Sequence, residues 1–186
     1  MIGRWRSSSD RPGGRNVQLN DEPSRDLNTL CVRHLQFAWW SLACFVILGI
    51  TLEALHAFKV VWYLGQPSEG RRLLWTLAHA HGALLSLVHA VFAFTYFAFP
   101  TPVTRRLRFA SGLLMAASVL LPGGFFLGGI FMFDGDPGLG IWLVPFGAVC
   151  LLLAVFMTAT DVVRGDRSMA ANGGERPRRT STSKRS

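Results

Sequence analysis

The stretch LGIWLVPFGAVCLLLAVFMTATDVV, Leu139–Val163, decides the fold, because a single charge, Asp161 near its end, interrupts it. A helix of this length, at about 1.5 Å per residue, exceeds the roughly 20 apolar residues needed to cross about 30 Å of hydrocarbon. A helix on the surface of a soluble protein needs a polar face, and this stretch has none. Residues 34–63, 73–99 and 107–133 read the same way. The expectation is an all-α, integral membrane protein of four spans.

Working outward, the connections are short: Gly65 to Gly70, Pro100 to Thr104, and Asp134 to Gly138. Each carries Pro, and short connections make consecutive helices antiparallel, which predicts an up-down-up-down four-helix bundle. The transmembrane domain is expected over residues 26–165. The flanks, 1–25 and 166–186, are rich in Arg, Ser and Gly and are expected to be disordered basic tails. Ser24 or Asp26 is the expected cap of the first helix, and Gly65-Gln66-Pro67 its end. The polar run ahead of the first span argues against a cleaved signal.

Charge sets the orientation. The chain carries a net charge of +8, concentrated in both tails and in the connection holding Arg105, Arg106 and Arg108. Basic residues near span ends stay on the cytoplasmic side, which places both termini in the cytoplasm of a cell inner (plasma) membrane. Arg71, Arg72, Asp134 and Asp136 fall on the opposite side. Anionic lipid head groups account for the basic tails as partners, and nucleic acid is excluded for want of a folded basic module. Cys31, Cys44 and Cys150 lack the CxxC spacing of a metal or redox site. No phosphate loop or His-Glu-x-x-His helix is present, so no catalytic residue is assigned and enzymatic activity is left open.

Ionisable groups inside a span call for explanation, since burying one in hydrocarbon costs about 3 kcal/mol on insertion scales. Glu53, His56 and Lys59 stand toward the outer end of span one, and His79, His81 and His89 in span two. With span one reaching Tyr63, Glu53, His56, His79 and His81 all sit about 10 to 15 Å deep. Glu53 and His56 share a helical face, whereas His79 and His81 point to opposite sides. The candidate cofactor ligands are therefore His56, His79 and His81, with Glu53 added for a metal. His89 reads as an interhelical hydrogen-bonding residue. Pro122-Gly123-Gly124 and Gly128-Gly129 in span three, with Pro145 and Gly147 in span four, fit either a ligand surface or a helix-packing seam.

Ala78-His79-Ala80-His81-Gly82-Ala83-Leu84-Leu85 resembles the His-x-His helix of the catalytic subunits of heme–copper oxidases and nitric oxide reductases. In that family the two histidines ligate two hemes on opposite faces of one helix, so the resemblance implies such a use for His79 and His81. As a whole the chain resembles small bacterial four-helix membrane proteins.

Three functions follow as expectations. The first is binding of heme b, copper, iron or zinc through the outer histidines, linked to respiratory redox chemistry, in a homodimer or a respiratory-type complex. The second is a non-catalytic subunit or scaffold of a larger membrane complex whose histidines are structural. The third, proton passage along Glu53, His56 and His79, lacks an inward route, because span one offers only Ser41 beyond Thr51.

Overall fold

The structure, a computed structural model, describes the backbone of residues 14–65, 69–133 and 135–173, and the side chains of 24–65, 69–133 and 135–164. The described residues form five α-helices: α1 Gly14–Ala57, α2 Val61–Leu64, α3 Glu69–Ala98, α4 Arg105–Ile130 and α5 Leu143–Gly173. A 3-10 turn, Leu139–Trp142, leads into α5. The fold is all-α, and four of its helices are long and apolar enough to cross a membrane.

The long helices pack in series. α1 lies on α3, α3 on α4 and α4 on α5, while α1 and α5 make no comparable contact with each other. The central pair is the more enclosed, with 39% and 44% of the apolar windows of α3 and α4 buried against 11% for α1 and for α5. At the end of the bundle that carries Arg106 and Arg108, here the basic end, all four meet. Leu27 and Cys31 of α1, Phe92 and Tyr96 of α3, Leu107 and Leu114 of α4 and Ala154 of α5 form one cluster there.

Helix ends follow local chemistry. Thr104 caps α4, its side chain accepting from the Leu107 N–H at 3.1 Å. α1 stops at Ala57, before the expected Tyr63, because Lys59 turns the backbone to φ 50°, a conformation that no helix continues through. The chain then folds back as α2, and Tyr63 is buried against Trp75 with ring centroids 6.4 Å apart. At the other end α1 extends back to Gly14, into the expected N-terminal tail, and α5 runs on to Gly173. Adding turns to an existing helix avoids the nucleation step, which favours such extensions. The rest of the two expected disordered tails, residues 1–13 and 174–186, lies outside the described residues.

α4 runs unbroken through Pro122. The glycines around it form a packing seam: Gly124 is held against Gly140 and Val144, Gly128 against Ile141, and Gly147 of α5 against Leu121. Pro145 falls in the first turn of α5, where the missing N–H has no intrahelical partner to lose. Asp136 and Phe133 close a tight turn through two backbone bonds of 2.9 and 3.1 Å. Gly135 occupies φ 90° within it, a conformation that a side chain would strain.

Trp75 fastens α3 to α4 at the end opposite Arg106 and Arg108, its indole N–H donating to the Phe126 carbonyl at 3.2 Å. Trp75→Phe keeps most of the ring packing and orphans that buried contact. The expected loss is about 1 kcal/mol of stability, read by denaturant titration in mixed micelles. An unchanged midpoint would mean that the bond carries no net stability.

Candidate functional site: a buried histidine pair

His34 of α1 and His89 of α3 are each 0% exposed and face each other at the centre of the basic half. Their Nδ1 atoms are 2.7 Å apart, and their rings stack at a centroid distance of 4.8 Å. Phe92 flanks His34 at 4.5 Å, and Phe37 flanks His89 at 4.4 Å. α4 supplies the outer partners. His34 Nε2 is 2.7 Å from Ser111 Oγ, and His89 Nε2 is 2.9 Å from Ser118 Oγ. Seven residues separate the two serines, about two helical turns, so both project from one face of α4.

The direction of every bond in this chain follows from one acceptor. Ser118 Oγ donates its proton to the Leu114 carbonyl at 2.9 Å, so from His89 it can only accept, and His89 Nε2 carries a hydrogen. A neutral His89 then offers a lone pair at Nδ1, which His34 Nδ1–H fills. His34 Nε2 is left as an acceptor for the Ser111 hydroxyl. The sequence Ser111→His34→His89→Ser118→Leu114 satisfies all four ring nitrogens with both imidazoles neutral. A buried polar network is stable only when it is complete in this way.

A second contact follows along the α1–α3 seam. Ser41 and Ser86 share a hydrogen bond of 2.7 Å, and each hydroxyl also lies against a carbonyl of its own helix, that of Phe37 or Ala38 for Ser41 and that of Gly82 for Ser86. α1 thus does have polar company between Thr51 and Arg33, supplied by α3 and α4, which the α1 sequence by itself did not reveal.

The sequence-derived candidates are placed differently. His79 Nδ1–H donates to the Phe45 carbonyl at 2.7 Å, and its ring fills the notch left by Gly49. His81 turns away, donating from Nδ1 to the Leu77 carbonyl at 2.8 Å and packing on Phe125 at 4.9 Å. The two point to opposite neighbours, as their spacing required. Glu53 and His56 are exposed on α1. Because α1 ends at Ala57, they stand about 6 and 2 Å from its end, whereas His79 and His81 lie about 15 and 18 Å into α3. The structure therefore does not bring the four to one level. Among the described residues no group of three or more His, Cys, Asp or Glu side chains is disposed to hold a metal ion.

At the basic end, Arg106 ties α4 to α5 through Asp161 at 2.9 Å and through Thr160. Tyr96 of α3 is buried beside Asp161 and Thr158, without a well-aligned hydrogen bond to either. Arg108 pairs with Asp26 of α1 at 3.1 Å. No protein-family model matches the sequence, and no characterised protein or solved structure matches it.

Proposed function

We propose that the chain is a membrane-spanning, up-down-up-down four-helix scaffold, a non-catalytic component of a plasma-membrane assembly, with both termini cytoplasmic. Its buried histidines serve as interhelical fasteners. The observation that carries this reading is the completed chain from Ser111 to Leu114, in which both buried imidazoles use both nitrogens on protein partners. The contacts between helices support the topology. Gly49 meets His79 and Gly82 meets Phe45 across α1 and α3, His81 meets Phe125 and His89 meets Ser118 across α3 and α4, and Gly124 meets Val144 and Leu121 meets Gly147 across α4 and α5. In each pair one number rises as the other falls. The basic residues at one end support the orientation.

One observation favours a second reading, binding of heme or of copper, iron or zinc through histidines. His79 and His81 both place Nδ1–H on a main-chain carbonyl, which leaves Nε2 as the lone-pair nitrogen, the tautomer of a metal-ligating histidine. In this reading Glu53 and His56 lie too near the end of α1 to share that site, and the partner ligands come from a second copy or another subunit.

One experiment separates the two. The protein, purified in mild detergent from cells supplied with heme and metals, is scanned for a reduced-minus-oxidised spectrum and assayed for metals. The scaffold reading expects a colourless sample without stoichiometric metal, and a folded His79→Ala. A heme band, or about one metal per chain, that disappears in His79→Ala or His81→Ala would establish the second reading instead.

A further inference from the structure

Ser111 is where the buried chain reaches the surface. It lines a cleft of about 350 Å³ at the basic end, together with Asp26, Thr29, Arg33 and Arg108. The Asp26 and Arg108 side chains are 60% and 65% exposed, so the cleft is open and charged at its mouth. The other end of the chain is blind. Ser118 delivers its hydrogen to the Leu114 carbonyl, which has no proton to hand on.

We infer that the His34–His89 pair is a proton-binding site, loaded through Ser111 from the cleft at the basic end and closed at Ser118. A hydronium ion in the cleft gives its proton to Ser111 Oγ as the Ser111 hydrogen moves to His34 Nε2. Water is released, Ser111 keeps a hydroxyl, and His34 becomes an imidazolium. Its Nδ1 proton can then cross 2.7 Å to His89 Nδ1, which leaves His34 neutral with its hydrogen on Nε2 and makes His89 the cation. One positive charge is gained, and the pair shares it. Because Leu114 ends the sequence, the proton returns by the way it came, so this is a store and not a conduit.

The charged and titratable groups around the pair are identifiable. α1 contributes Asp26, Cys31 and Arg33, α3 contributes Tyr96, and α4 contributes Arg108, which is paired with Asp26. α5 contributes Asp161, which is paired with Arg106. None of the carboxylates contacts the imidazoles, so the added charge is held by the shared hydrogen bond between the rings and by the Ser111 oxygen. The site does not depend on whether the chain also carries a cofactor.

The test uses the full chain in lipid nanodiscs with ¹⁵N-labelled histidine rings, assigned through His34→Gln and His89→Gln. Near neutral pH, His34 should report a hydrogen on Nδ1, and His89 one on Nε2. As the pH falls to about 4, both rings should change together at a common midpoint with uptake of one proton per chain. Ser111→Ala should abolish the joint change and Ser111→Thr, which keeps the hydroxyl, should retain it. Rings that stay neutral until the helical signal itself collapses would overturn the inference. So would a joint titration that Ser111→Ala leaves untouched.

Discussion

His89→Leu is expected to lower the stability of the bundle by about 2 kcal/mol, measured by unfolding in dodecyl sulfate mixed micelles with circular dichroism as the readout. The substitution keeps an apolar side chain of similar reach against Phe37, so most of the packing survives. What it removes is the acceptor for His34 Nδ1–H and the donor to Ser118. The His34 N–H then has no partner inside a site with no exposure to water. His34→Leu should do comparable damage by orphaning His89 Nδ1. The double variant His34→Leu/His89→Leu removes both imidazoles together and should recover about 1 kcal/mol relative to the sum of the singles. Strict additivity would show that the two rings do not stabilise each other, and the fastener reading would fall with it.

Gly82→Ala is expected to cost about 2 kcal/mol in the same assay. A Cβ at that position would overlap the Phe45 ring, and one at Gly49 would overlap the His79 ring. The two glycines therefore set how closely α1 approaches α3, and the approach is what lets Ser41 reach Ser86 and lets His79 reach the Phe45 carbonyl. In a bilayer, where lipid is as apolar as the helix surface, close contact of this kind and not the hydrophobic effect would hold the helices together. Phe45→Ala in the Gly82→Ala background should restore most of the loss, because the overlap is with that one ring. A double variant no more stable than Gly82→Ala would place the cost elsewhere, in the backbone of α3 itself.

Much of the fold was legible because the apolar stretches are long and their connections short. The fine placement was not, and the reasons are local. Continuous apolar character through Val60, Val61 and Trp62 hides the turn at Lys59, since hydropathy does not register a left-handed residue. That one turn removed the common depth assumed for Glu53, His56, His79 and His81. The opposite pointing of His79 and His81 was legible, because it depends only on helical spacing. His89 was legible as an interhelical group, whereas its partner was not, because His34 stands at the very start of its apolar stretch and looks like a boundary residue. The available signal was the pair Ser111 and Ser118, two turns apart on one face of α4 and at the depth of both histidines.

The serial packing of the helices has a consequence for biogenesis. In the proposed membrane-spanning arrangement, α1 and α3 match as soon as they leave the translocation machinery as a hairpin, with Ser41 on Ser86 and His79 on the Phe45 carbonyl. His34 and His89 at that stage have each other but lack both serines, because these reside on α4. The newborn hairpin is therefore polar at its heart until the next span arrives. In that arrangement the arrival of α4 gives both imidazoles their outer partners, so the order of synthesis is also the order in which the buried network is completed.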